Sequence, residues 1–272
     1  MIRSQGYDPK ELSELAIGRF SRTNKPFLNQ IISSAFDVDK MDFVVKDSYH
    51  TGAGYGSVDV FRLIYTMDVV DGNLAADITA LPTLESLILA RLESFRTIYF
   101  HRACRAVHMM LLKASDLAKE DLEILSVKRP DEYLAWDDFT VWSKLLANPN
   151  SREIMKALSE RRLLKCAYER TLFAKDELVS SVFTNENVRL KLEEDIATKA
   201  HAPVSDVGID VPSLPSVPYH YAMEMDPVDI PVFSRDRSGE KIPQNIGELS
   251  KVVEMLRVFM NIVRVYTKEQ YR

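Results

Sequence analysis

Between Phe36 and His50, four aspartates, two lysines and one histidine are interleaved with apolar residues. At about 100° per residue, Asp39, Lys40, Phe43, Asp47 and His50 fall within one arc of a helix. Met41, Val44, Val45 and Tyr49 fall on the opposite side, which suits a core. The spacing therefore predicts a helix over 36–50 with a charged face. A solvated amphipathic helix accounts for the charges, but it has no need of Phe43 in the middle of them. Two acids, a base, a ring and an imidazole on one face can hold a metal ion, a phosphate and a flat organic group together.

Local signals around this stretch point to more helix. Asp8-Pro9 is a helix start, with Asp8 as N-cap, and Gly18 and Asn24-Lys25-Pro26 are breaks. Residues 1–30 thus read as a short helical hairpin. Thr51 to Gly56 is a glycine-rich C-cap and turn, and 57–67 is a further helix. Asp71-Gly72-Asn73 is a turn between two short strands, Met67–Val70 and Leu74–Ile78. Pro82 opens a long helix to about Ala114. On it Arg91, Phe95, Tyr99 and Arg102 recur on one face, and an arginine there can fork onto phosphate.

Residues 115–200 read as charge-mixed helices. A start at Asp131–Asp138 places Trp136 and Trp142 near a core, Pro149 is a break, and Arg152 to Cys166 is amphipathic. Arg161, Arg162 and Lys165 read as a solvated helix face. After Ala202-Pro203 the composition changes, with six prolines between 203 and 231. Runs at Val207–Val211, Val228–Phe233 and Asn261–Tyr266 are β-like. Asp236 to Gly239 is a turn, and Asn245 leads into a helix through Met255. The fold expected is mainly α, a helical part over 1–202 with a small α+β lobe over 203–272.

With 272 residues, the chain is long enough to bury a core in one or two domains. A net charge of -5 argues against a broad nucleic-acid surface while leaving room for a local basic pocket. Cys104 and Cys166 form no disulfide framework and read as buried free thiols of a reducing compartment. The N-terminus lacks a signal-peptide pattern, and no apolar run approaches a membrane span. A cytoplasmic protein is expected by default.

The string Asp37-Val38-Asp39-Lys40-Met41-Asp42-Phe43, with Lys46-Asp47 after it, resembles a signature of HD-domain phosphohydrolases. The branch it is most similar to is the deoxynucleoside triphosphate triphosphohydrolases. Gln30 to Ser34 before it and His50-Thr51-Gly52 after it fit the same pattern. A second block agrees downstream: Glu85, Ala90-Arg91 and Tyr99-Phe100-His101-Arg102. The family is named for a His…His-Asp…Asp metal set. The five histidines here are His50, His101, His108, His201 and His220, and none is followed by Asp. The resemblance therefore covers the C-terminal part of such an enzyme, an incomplete helical bundle of HD-phosphohydrolase type that keeps the last metal aspartate.

The resemblance implies roles position by position. Asp39 is the closing ligand of a divalent metal (Mn, Mg, Fe or Zn), provided the missing ligands are supplied. Lys40 and Arg91 bind the triphosphate. Phe43 stands where relatives often carry tyrosine, so packing remains and a hydroxyl contact is lost. Asp47 and Tyr99 contact the sugar, and His101 and Arg102 border a regulatory nucleotide site. The function implied is metal-dependent hydrolysis of (deoxy)nucleoside triphosphates to nucleoside and triphosphate, with this chain inactive alone. Its partners are then a dNTP and either further copies of itself or an HD-bearing segment. Truncation, a split gene and loss of the HD half all remain open. The alternative is a non-catalytic nucleotide-sensing or oligomerisation module. A helical interaction protein with a chance motif ranks last, because two blocks agree.

Overall fold

A computed structural model describes residues 2–21, 25–122, 126–174, 185–215, 231–256 and 259–272. Asn24, His220 and the start of the run at Val228 lie outside the described residues. The chain is mainly helical, and its C-terminal part carries the α+β structure. It divides into two compact units that interleave along the sequence. Unit 1 comprises 1–97, 173–176 and 214–260, and unit 2 comprises 98–172, 177–213 and 261–272. The division expected at 202/203 was drawn on composition, and as a domain boundary it remains a proposal.

Unit 1 opens with α1 (Pro9–Ala16), capped by Asp8, whose carboxylate accepts from the Lys10 amide at 2.9 Å. After it come α2 (Phe27–Ile32), α3 (Val38–Thr51) and α4 (Val60–Thr66). The expected hairpin is present as β1 (Met67–Val70) and β2 (Asn73–Asp77). Its turn residues Asp71 and Gly72 have φ of 49° and 79°, the primed geometry that matches the twist of paired strands. Gln30 locks α2 onto this hairpin. Its buried side chain accepts from the Leu74 amide at 2.7 Å and donates to Asn73 Oδ1 at 2.9 Å. Gln30→Leu leaves that amide without its acceptor and is expected to cost about 1–3 kcal/mol, read as a lower urea midpoint at unchanged slope.

The helix α5 (Leu81–Ser94) lies next along the chain. In the C-terminal part, β6 (Pro231–Arg235) pairs parallel with β2, and β7 (Lys241–Asn245) pairs antiparallel with β6. The sheet order is β1-β2-β6-β7. Two short helices, Ile246–Leu249 and Lys251–Met255, follow β7. The core of unit 1 gathers Phe36, Val44, Leu63, Leu84, Ile88 and Val232.

The helix expected from Pro82 to Ala114 is not continuous. After Ser94 the chain takes a π turn over Phe95–Tyr99, and α6 (Arg102–Leu122) then begins in unit 2. A π turn carries its hydrogen bonds from i to i+5, so helical spacing does not keep Arg91, Phe95, Tyr99 and Arg102 on one face. The break is stabilised within unit 2. The carbonyl of Phe100 accepts from Arg264 Nη1 at 2.6 Å.

Unit 2 continues with α7 (Pro130–Tyr133), α8 (Asp138–Ala147) and α9 (Arg152–Ser159). Its helical core joins Met110, Ala114, Leu145 and Met155, with Trp136 packed against it. Trp142 keeps more than a third of its surface exposed. The amphipathic helix expected to reach Cys166 ends at Ser159. Arg161 turns the chain at φ 55°, and Lys165–Ala174 forms β3. Tyr168, Thr171 and Phe173 are strand formers, and pairing with a distant strand outweighs the charge-mixed helical pattern. Cys166 thus lies half-buried on a strand, and Cys104 is exposed on α6, so neither is the buried helical thiol expected. Next come α10 (Glu186–Lys199), β4 (Val207–Asp210) and β5 (Ser213–Pro215), and β8 (Phe259–Thr267) lies near the C-terminus. The strands run β3-β8-β4, with Val207 opposite Thr267 and Ile209 opposite Val265.

Candidate functional site

The expected helix over 36–50 is α3, and its N-cap is Asp37. The Asp37 carboxylate accepts from the Lys40 amide at 2.8 Å and the Ser34 amide at 2.9 Å. Lys40 Nζ turns back onto the same carboxylate at 2.6 Å and onto the Ser34 carbonyl at 2.8 Å. Asp37 is only 2% exposed. Gly52 ends the helix at φ 72°.

Packing of α3 against α5 joins this cap to Arg91. Leu84, Leu87, Ile88 and Arg91 follow one another at i, i+3, i+4 and i+7, so the arginine occupies a core-facing position of α5 and is 8% exposed. Burial pulls its guanidinium down to about 10, and the charge of Asp37 acts against that shift. Arg91 also lies 5.1 Å over the ring of Phe95. The unit thus holds a lysine and a buried arginine around one buried carboxylate. A cation held in a dry wall binds an incoming anion more strongly than one in water.

Asp39 is exposed in the first turn of α3, where an acid suits the helix dipole. Asp47 is half-buried, two turns further on. Phe43 is also half-buried and packs against the core of unit 1, which gives its place in the charged arc a packing reason. Tyr49, expected to face the core, is 83% exposed and meets the His50 ring edge-on at 5.3 Å. Sequence reasoning missed Asp37 as the buried centre of the cluster, although an aspartate just before a helical run is a readable cap signal. It also missed Tyr55. Burial pushes the phenol of Tyr55 up from its ordinary value, and the charge of Asp47 adds to the rise.

Tyr99, His101 and Arg102 belong to unit 2. Tyr99 ends the π turn half-buried. His101 precedes α6, and its Nδ1 accepts from the Ala103 amide at 3.3 Å. Arg102 forks onto Glu169, with Nε and Nη2 each 3.0 Å from a carboxylate oxygen. An anion at the expected regulatory position would therefore meet a guanidinium already paired with a carboxylate.

Among the described residues, no group of three or more His, Cys, Asp or Glu side chains is placed to hold a metal ion. Asp39 by itself supplies one oxygen ligand, and the other coordination positions need donors from elsewhere. The residues here do not make a metal site on their own. No helix among the described residues is long and apolar enough to cross a membrane.

Three comparisons bear on this arrangement. An uncharacterised protein of Methanocaldococcus jannaschii is 25% identical over 226 residues, covering 78% of this chain and 48% of its own length. A protein of Dictyostelium discoideum, named a deoxynucleoside triphosphate triphosphohydrolase SAMHD1 homologue, is 26% identical over 198 residues, covering 70% of this chain and 37% of its own length. The chain thus spans less than half the length of either relative. The crystal structure of a hypothetical protein from Aquifex aeolicus shares the fold over 98% of this chain and 64% of its own, with a TM-score of 0.71 at 21% identity. The sequence profile described as the HD associated region matches residues 58–270. On that match the chain belongs to the HD associated region family, among the HD-domain phosphohydrolase-like proteins.

Proposed function

We propose that this chain supplies the nucleotide-binding wall and one metal aspartate of an HD-type phosphohydrolase that cleaves (deoxy)nucleoside triphosphates to nucleoside and triphosphate. The observation that carries the reading is the packing of α3 on α5, which gathers Lys40 and the buried Arg91 around Asp37 with Asp39 exposed in the same first turn. The name of the Dictyostelium relative supports the choice of substrate.

In this reading Lys40 and Arg91 neutralise phosphate charge, and Asp47 holds the sugar. Asp39 offers its oxygens to a divalent metal whose remaining ligands come from an HD-bearing segment. Such a metal activates a water for attack on phosphorus. The working assembly is a cytoplasmic oligomer or a complex with that segment.

Titration of dATP onto the 272-residue chain in chelator tests the wall. Saturable binding is expected, weakened about tenfold in Lys40→Met, since one charge-assisted hydrogen bond is lost. Equal affinity of wild type and variant would overturn the assignment of Lys40 to the triphosphate. If dATP binds in chelator and addition of an HD-bearing segment with manganese yields no triphosphate, the chain is a nucleotide-sensing module instead.

A further inference from the structure

The strand β3 is ten residues long and stands at one end of the β3-β8-β4 order. β8 pairs with one of its edges, and no strand among the described residues pairs with the other. Every residue from Ala167 to Thr171 is exposed, and Tyr168 keeps 50% of its surface. The Tyr168 carbonyl accepts from the Cys166 thiol at 3.2 Å, a weak donor that a strand N–H readily replaces. An open edge offers its N–H and C=O groups to any strand laid against it, and proteins commonly blunt such edges by shortness or proline. β3 is not short and contains no proline.

Its side chains say which strand fits. When two copies of one strand pair antiparallel about a two-fold axis, the axis passes through a residue, and residues equally spaced on either side of it face each other. An axis at Glu169 or Arg170 sets like charges opposite each other, which opposes pairing. An axis at Ala167 sets Lys165 against Glu169, a carboxylate already held by Arg102 and Arg264. An axis at Thr171 sets Glu169 and Arg170 against the apolar Phe173 and Leu172. An axis at Tyr168 avoids all of these. It faces Tyr168 with Tyr168, a favourable ring pair, Arg170 with Cys166, and Lys165 with Thr171. Each Arg170 is then diagonal to the other copy's Tyr168, within reach of its ring face.

We infer that the open edge of β3 pairs antiparallel with β3 of a second copy of this chain, about a two-fold axis at Tyr168. The paired edges exchange main-chain hydrogen bonds and join two sheets into one. The contact is small, so the dimer is weak. It does not depend on the phosphohydrolase reading.

Sedimentation velocity of the full chain is expected to show reversible dimerisation in the micromolar range. Tyr168→Ala, which removes the ring pair, is expected to raise the dissociation constant about tenfold. Register is read by oxidation. In a Cys104→Ser background, Arg170→Cys places a thiol opposite the native Cys166 of the other copy, within disulfide reach. A covalent dimer is expected, and adding Cys166→Ser is expected to abolish it. Thr171→Cys, on the opposite face of the strand, is expected to remain uncrosslinked. A chain that stays monomeric, an unchanged constant in Tyr168→Ala, or crosslinking that survives Cys166→Ser would each overturn the inference.

Discussion

Arg264→Met is expected to lower the stability of unit 2 by about 1–3 kcal/mol, the usual cost of taking a buried hydrogen-bond partner away. Arg264 is 4% exposed. Its Nε donates to Glu169 at 2.6 Å and its Nη1 to the Phe100 carbonyl at 2.6 Å. Methionine fills much of the volume but takes the guanidinium donor from that carbonyl and leaves Glu169 with Arg102 alone. Arg102→Met removes the other arm of the same carboxylate, yet its side chain is 60% exposed, so the expected loss is under about 1 kcal/mol. Urea unfolding followed by circular dichroism separates the two. Equal losses would mean that the Phe100 carbonyl does not depend on Arg264.

The same cluster sets an acid limit. Hydrogen bonds from Arg102 and then Arg264 hold the Glu169 carboxyl down at about 2, against an ordinary value of 4.5, with burial opposing them. A carboxyl depressed on folding stabilises above its unfolded value and loses that contribution as pH falls through the folded one. The window is therefore from about pH 4.5 down to about pH 2. In Glu169→Gln the slope of stability against pH across that window is expected to flatten.

Asp37→Ala is the second large loss expected, about 3–5 kcal/mol, now in unit 1. It removes the cap of α3, worth about 1 kcal/mol alone, and strips the buried Arg91 of the charge that opposes its desolvation. Asp37→Asn keeps an acceptor for the Ser34 and Lys40 amides and is expected to lose roughly half as much. Asp39→Asn, two residues along but exposed, is expected to stay within about 0.5 kcal/mol of wild type. Thermal or urea unfolding of the three variants checks this order. An Asp39→Asn loss as large as that of Asp37→Ala would contradict the division of labour between a buried structural acid and an exposed ligand.

What the sequence made legible is what local chemistry decides. Asp8 and Gly52 mark helix ends, and Asp71-Gly72 marks the hairpin, because each satisfies backbone groups within a few residues of itself. The π turn at 95–99 and the strand β3 were not legible. One is stabilised by a carbonyl given to Arg264, far along the chain, and the other by pairing in the β3-β8-β4 sheet. Periodicity carries no record of such partners.

The candidate site divides in the same way. Asp39, Lys40, Asp47 and Arg91 are proposed from the string and its second block. Burial of Asp37 and Arg91 follows from α3 packing on α5, a tertiary fact that no helix pattern contains. The carboxylate of Glu169 on Arg102 was likewise out of reach, since the two are separated by 67 positions.

The most direct measurement is release of triphosphate from a dNTP by the purified chain with manganese, beside its Asp39→Ala variant. With no group of three or more His, Cys, Asp or Glu side chains placed to hold a metal among the described residues, no release above background is expected from either protein. Metal-dependent release by the chain, abolished in Asp39→Ala, would contradict the claim that the catalytic centre needs a second segment to complete it.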